Sequence, residues 1–243
     1  MIVKSGIKSM TGASTVSLKE SGIHCKAEII SLNSKGSEFK VFISPEIPGL
    51  EAKVREFLSK YLRDGKFIVK VNFVDTGIKL KINKKIFNSL KTTKGSNFLF
   101  AIDPFKIPGL INFVYPEKKI WKILKKILKK SVFELEKKRL KEGEEIKRAI
   151  LKEIDKIKLN LKGIDPSKIN EEVIRIKSHL KNIREITKAK KGPWGKRVDF
   201  YGQEILKEAN TITQKTEDLN VVNSAIKIKE CADNIRELSR NLV

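Results

Sequence analysis

The chain begins with alternating positions. Lys26-Ala27-Glu28-Ile29-Ile30 and Glu38-Phe39-Lys40-Val41-Phe42-Ile43 put every second side chain on one face, the period-two pattern of half-buried strands. Pro45-Glu46-Ile47-Pro48-Gly49 closes the second stretch, after which Leu50, Val54, Phe57, Leu58 and Tyr61 recur at helical spacing until Gly65. Lys66 to Phe73 reads as a further strand, and Asp75-Thr76-Gly77 joins it to Ile78-Lys79-Leu80-Lys81-Ile82 as a hairpin. The first half is therefore expected to be an antiparallel sheet carrying at least one helix.

Residues 103–116, with Pro104, Pro108-Gly109 and Pro116, cannot form one regular element and mark a boundary. Beyond them the period changes to that of a helix. Ile120, Ile123, Leu124, Ile127, Leu128 and Phe133 make an apolar stripe opposite a dense lysine face, and the pattern runs on to Ile157. Gly163-Ile164-Asp165-Pro166-Ser167 reverses the chain, and three shorter helices are expected over about 168–188, 197–215 and 219–241. The fold class is thus α+β. An N-terminal antiparallel β-rich domain with a packed helix occupies 1–115, a long helical arm 116–168, and a C-terminal helical domain 169–243.

A chain of 243 residues with 40% hydrophobic positions can bury one large core or two modest ones. Collagen-like, mucin-like and disulfide-scaffold classes are excluded by composition. No apolar run approaches the roughly 20 residues that span a bilayer, and Met1-Ile2-Val3-Lys4-Ser5 lacks the apolar stretch of a signal peptide, so no membrane partner and a cytoplasmic location are expected. Cys25 and Cys231 stand without a CxxC pair or a metal-ligand spacing, which suits small buried thiols in a reducing compartment.

Charge changes this picture most. The 52 Lys and Arg outnumber 29 Asp and Glu to give +23, a balance that favours a polyanionic partner such as RNA, DNA or an anionic membrane surface. Only nine of the basic residues are Arg, so biased codon usage filling surface positions with Lys accounts for part of the excess.

The chain has two histidines, His24 near a strand start and His179 on a helix. Residues three, four and seven apart share a helix face, so Glu172, Arg175 and His179 project together. On the next helix Glu204, Glu208, Thr211 and Lys215 do the same, while Val198, Tyr201, Ile205 and Ile212 form the buried stripe. Carboxylates with one imidazole suit a hard or borderline divalent ion such as Mn²⁺ or Mg²⁺. The same spacing equally describes the solvated side of two amphipathic helices.

The last third carries a motif. Gly195-Lys196-Arg197-Val198-Asp199-Phe200, then Gln203-Glu204, Glu208-Ala209-Asn210-Thr211 and Lys215, resembles the C-terminal signature of the YicC-like stress-induced proteins. Ser9-Met10-Thr11-Gly12, Ser31-Leu32-Asn33-Ser34-Lys35 and Leu62-Arg63-Asp64-Gly65-Lys66 look like that family's N-terminal motifs. Arg139, Glu142 and Gly143 match a mid-chain Arg-x-x-Glu-Gly, and Glu171-Glu172, Arg175, Ser178 and His179 match the segment before the signature. Asn223, Lys229, Arg236, Glu237 and Asn241 extend the resemblance nearly to the end.

The resemblance implies a metal-dependent endoribonuclease, a homohexamer whose β-rich domains and helical arms enclose a basic channel for RNA. On that basis Glu172, His179, Glu204 and Glu208 are the expected catalytic and metal-holding residues for Mn²⁺ or Mg²⁺, within one subunit or with help from a neighbour. Lys196, Arg197, Arg175 and Lys215 are expected to steady the phosphate, and Arg236, Arg63, Lys66 and Lys35 to contact the RNA backbone. Three alternatives stay open. They are metal-free cleavage by a base at the 2′-OH and an acid at the leaving oxygen, a non-catalytic adapter that delivers RNA to another nuclease, and a helical scaffold kept soluble by its lysines.

Overall fold

A computed structural model describes residues 6–34, 36–76, 79–94, 103–114, 116–164, 169–189 and 192–243. Four strands form the main sheet in the order β1 (Gly12–Glu20), β2 (Ile23–Leu32), β4 (Gly65–Asp75) and β3 (Ser37–Ser44). The β1–β2 and β2–β4 pairs are antiparallel, as the alternating patterns lead one to expect, but β3 runs parallel to β4. The reason lies in the connection. Helix α1 (Leu50–Ser59) intervenes between β3 and β4, and a crossover through a helix returns the chain in the same direction.

The expected hairpin after β4 does not form. Strand β4 already has β2 on one side and β3 on the other, so it offers no edge. Strand β5 (Lys79–Ile82) pairs instead with β6 (Ile111–Val114) in a separate antiparallel ribbon, next to helix α2 (Lys84–Lys94) and a 3₁₀ turn at Pro104–Lys106. The proline-rich stretch is accordingly two short elements. Asn83 starts α2, its Oδ1 accepting from the Lys85 backbone N–H at 3.1 Å.

Helix α3 (Glu117–Lys162) runs for 46 residues, about 70 Å at 1.5 Å per residue. Its two halves belong to different cores. Ile120, Leu124, Ile127, Leu128 and Leu135 cover one face of the sheet together with Val54 and Leu58 of α1. Ile150, Ile154, Ile157 and Leu161 instead pack against α4 (Asn170–Lys188), α5 (Trp194–Lys215) and α6 (Leu219–Ser239). The three C-terminal helices fall close to their expected spans. Each fully buried Ile or Leu contributes about 1.5–3 kcal/mol, so both halves are anchored mainly by apolar burial. Among the described residues, no helix is long and apolar enough to cross a membrane.

Between the cores, residues 7–11 thread past the middle of α3. Arg139 is 2% exposed, donating from Nε to the Ser9 carbonyl at 2.7 Å and from Nη1 to Glu136 Oε1 at 2.9 Å. Glu136 also receives the Lys8 ammonium. Thr11 Oγ1 donates to Glu142 at 3.0 Å, while the Met10 N–H reaches the Asn241 carbonyl at 2.8 Å and the Val243 N–H reaches the Lys8 carbonyl at 3.0 Å. The N-terminal segment is thus bonded to α3 on one side and to the end of α6 and its tail on the other.

Gly143 lets the segment in. A Cβ there would lie 2.3 Å from the Ile7 carbonyl oxygen and 2.8 Å from Lys8 Cα, both backbone atoms that cannot swing aside. A mid-helix glycine costs about 1 kcal/mol relative to alanine, and here the close approach offsets it. Gly143→Ala is therefore expected to destabilise the protein by about 1–3 kcal/mol through overpacking, read as a lower urea midpoint. Gly163→Ala, whose Cβ would meet the Asn160 carbonyl at an ordinary 3.7 Å, should leave the midpoint nearly unchanged. Equal midpoints for the two variants would remove the wedge from the account.

Candidate functional site

Helices α4 and α5 are consecutive and pack together, with Val173, Ile176 and Leu180 facing the same core as Val198, Ile205 and Ile212. That burial sets the rotation of both helices. It brings the Glu172-Arg175-His179 face of α4 to the Tyr201-Glu204-Glu208-Lys215 face of α5 along one groove edge. Three contacts cross the groove in antiparallel register. Lys215 Nζ lies 2.7 Å from Glu172 Oε1, Arg175 Nη1 lies 3.5 Å from Glu208 Oε1, and the His179 and Tyr201 rings are 5.7 Å apart.

Glu172 is 3% exposed, and its carboxylate is held below the ordinary range, chiefly by the hydrogen bond from Lys215, against the opposing effect of burial. The same bond pushes the Lys215 ammonium up. Only one Glu172 oxygen is used. Oε2 is buried with no hydrogen-bond partner, and so is His179 Nδ1. Unpaired buried polar atoms are costly, at about 1–3 kcal/mol each, and these two lie on one face of α4; Ser14 Oγ, Ser131 Oγ and Arg184 Nε are in the same condition elsewhere among the described residues.

The remaining acids are countered. Arg175 reaches both Glu171 and Glu208 at 3.5 Å, and Lys207 lies 2.7 Å from Glu204 on the same helix. Among the described residues, no three His, Cys, Asp or Glu side chains gather closely enough to hold a metal ion. The donor set suits Mn²⁺ or Mg²⁺ in its chemistry, and two donor atoms are unclaimed. Within the chain, however, Glu172, His179, Glu204 and Glu208 are strung along the groove rather than drawn around a point.

The expected cations divide into groups. Arg197 falls on the groove stripe, one turn before Tyr201 and two before Glu204, and is exposed. Lys196 is turned away, lining a separate cavity of about 600 Å³ with Asn33, Ser34, Asp64 and Leu242. Arg236 is occupied by Asp199 at 3.1 Å and Asp233 at 3.5 Å, and Lys66 lies 3.3 Å from Glu38. Arg63 is exposed beside the turn into β4, and Lys35 lies outside the described residues.

Three residues matter here that sequence reasoning placed elsewhere or passed over. Tyr201 was expected in the buried stripe but is half-buried against His179. Asp199 holds Arg236, and Lys207 neutralises Glu204. The signal for Tyr201 was its four-residue spacing from Arg197, the same interval that separates Glu204 from Glu208.

Removing the Lys215 ammonium should expose what it does for Glu172. Lys215→Met is expected to lower the urea midpoint near neutral pH by leaving the Glu172 carboxylate without its ammonium partner. Because the folded Glu172 pKa is depressed, the stabilisation is present above the ordinary carboxylate value of 4.5 and is lost as pH falls through the folded value. The difference between parent and variant in urea denaturation should therefore shrink below about pH 4.5. A gap that is constant from pH 7 to 3.5 would show that Lys215 acts through packing alone.

The Endoribonuclease YicC-like N-terminal region model matches residues 7–148, and the Endoribonuclease YicC-like C-terminal model matches residues 118–243. A protein of Clostridioides difficile (strain 630) named probable endoribonuclease YicC is 23% identical over 290 residues, covering 96% of this chain and 99% of its own. Its namesake in Haemophilus influenzae is 23% identical over 288 residues, covering 97% and 99%. Together the two models span nearly every described residue, the groove between α4 and α5 included, and the chain belongs to the YicC-like endoribonuclease family.

Proposed function

We propose that this protein is an endoribonuclease that cuts RNA phosphodiester bonds at the groove between α4 and α5. The observation that carries the reading is the pair of buried, unpartnered atoms, Glu172 Oε2 and His179 Nδ1, on the side of α4 that meets the Glu204–Glu208 face of α5, in the segment that the C-terminal family model matches. Glu172, His179, Glu204 and Glu208 are the residues that would hold Mn²⁺ or Mg²⁺. When bound, such an ion polarises the phosphodiester and lowers the pKa of a coordinated water. Arg175 makes only long contacts of 3.5 Å with its carboxylates and is the cation best placed to turn to a phosphate. Arg197 continues the same stripe, and Lys215 positions Glu172.

Assembly belongs to this reading. Carboxylates spread along a groove in one protomer gain further donors if a second copy abuts them, and a homohexamer with a cationic channel would supply both the neighbour and the RNA path. The charge of +23 supports phosphate binding that weakens with added salt.

A second reading rests on His179. With Nδ1 unclaimed, the imidazole could take the 2′-OH proton while Lys or Glu of the facing helix protonates the leaving 5′ oxygen, the 2′ oxygen attacking phosphorus as that bond breaks. An adapter that binds RNA and leaves it intact is the remaining alternative.

Labelled single-stranded and hairpin RNA incubated with Mn²⁺, Mg²⁺ or EDTA separates these. The parent should cut with a divalent ion and not in EDTA, and Glu204→Gln, Glu208→Gln and His179→Ala should each lose at least about a hundredfold in rate. Cleavage that persists in chelator selects the metal-free scheme, and bound but intact RNA selects the adapter. Three variants that cut as fast as the parent overturn the site, and a monomer by native mass measurement overturns the channel.

A further inference from the structure

The lysines of α3 are not spread evenly along it. Residues 117–133 hold seven Lys and one acid, Glu117 at the first position, whereas residues 134–162 of the same helix hold ten Lys and Arg and seven acids. Codon bias acts on both halves alike, so it cannot explain the segregation. The acid-poor stretch is the one that lies on the sheet, with Lys118, Lys122, Lys125, Lys126, Lys129 and Lys130 all on its exposed side. From Lys118 to Lys130 this ridge runs about 18 Å. Lys126 is held by Glu20 at 2.6 Å, and Lys125 lies 5.2 Å from the centre of the Trp121 ring.

Beside the ridge lies a cavity of about 590 Å³, lined by Tyr61, Lys126, Lys129, Lys130, Phe133 and Glu134 among others. Tyr61 is 50% exposed, although its ring is braced in place. Phe57 lies 5.1 Å from it, and Trp121 meets Phe57 edge-on at 5.9 Å. A tyrosine held rigid from behind and open in front costs little entropy to use as a stacking surface. Glu134 is the single acid in the lining, against three lysines.

We propose that this face of α3 is a binding site for single-stranded RNA, with a base stacked on Tyr61 and backbone phosphates on Lys129, Lys130 and the lysines preceding them. A positively charged track with aromatic platforms is the combination that holds unpaired strands whatever their sequence. Duplex RNA fits less well, since its bases are stacked inside and cannot reach an aromatic ring. The proposal rests on the RNA reading above and extends it, because the site is on the other half of the molecule from the α4–α5 groove and would hold a strand during or before cutting.

The test is binding of the full-length protein to a fluorescently labelled, unstructured RNA of about 12 nucleotides, by anisotropy in EDTA across a salt series. Lys129→Glu/Lys130→Glu should weaken binding more than about tenfold and lower the salt slope by about 1.4, from two lost phosphate contacts at about 0.7 each. Tyr61→Ala should weaken binding about tenfold with the slope unchanged, and Tyr61→Phe should retain it. The control is Lys152→Glu/Lys158→Glu, the same charge change on exposed residues of the acid-containing half. It should cost much less.

Equal losses for the two double variants would mean a diffuse field and overturn the site. So would unchanged binding by Tyr61→Ala, or a change of oligomeric state in Lys129→Glu/Lys130→Glu, which would make this face a contact between copies. Because binding is read in EDTA, the cleavage reading is scored separately. A parent that cuts RNA while these variants bind normally overturns this site alone, as does a parent that binds no RNA in EDTA yet cuts it with Mn²⁺ or Mg²⁺; a parent that neither binds nor cuts overturns both.

Discussion

The guanidinium of Arg139 is where the two halves of the molecule are tied. It is a charge almost wholly removed from water, and such a charge is tolerable only when its donors are met, here by the Ser9 carbonyl and Glu136. Meeting them requires the N-terminal segment to lie against the middle of α3, which in turn requires the bare backbone at Gly143. The segment then carries the α6 tail through Met10 and Val243 and the sheet through Ser31, whose hydroxyl donates to the Met10 carbonyl at 2.6 Å. Asn33 adds a bond to the Arg240 carbonyl at 2.9 Å. The sheet core and the helical core are thereby held on one long helix.

This junction accounts for much of the family motif. Ser9 to Gly12, Ser31 to Asn33, the Arg139-Glu142-Gly143 group and Asn241 are distant in sequence and adjacent in space. Gly195, which opens the C-terminal signature, belongs with them. A Cβ there would fall 2.5 Å from the Leu242 carbonyl oxygen and 2.6 Å from that of Ser239, so the start of α5 seats on the end of α6 only as glycine. Gly202 differs, because what its Cβ would meet first is the Arg236 side chain, with Cγ 2.6 Å away, rather than backbone. These residues are architectural. The groove proposed as the site draws on the later stretch, from Tyr201 to Lys215.

That stretch is organised by charge pairing across a groove. Buried carboxylate meets ammonium at Glu172 and Lys215, guanidinium bridges two acids at Arg175, and aromatic meets imidazole at His179 and Tyr201. Neither cysteine is on α4 or α5. Burial pushes Cys25 up to about 12 and Cys231 up to about 11, so both stay protonated inside separate cores, as small buried thiols should. Glu153 shows the same logic near Cys231. Burial alone would raise its pKa, but hydrogen bonds from Lys156, Cys231 and Asn234 outweigh it and leave the group below its ordinary value.

Much of the fold could be read from hydrophobic period alone. The stripe of Ile120 to Leu135 defined the start of α3, and Val173 to Leu180 and Val198 to Ile212 defined two helices and which of their faces would carry Glu172, His179, Glu204 and Glu208. Local periodicity encodes rotation about a helix axis, and that was enough to nominate a groove. It does not encode what lies opposite. That β5 leaves β4 for β6, that Lys215 closes on Glu172, that Arg236 is spent on Asp199 and that Lys196 faces another cavity were all settled by tertiary packing. Long flexible cations and free strand edges take whichever partner the cores bring within reach, and that choice is made between residues tens of positions apart.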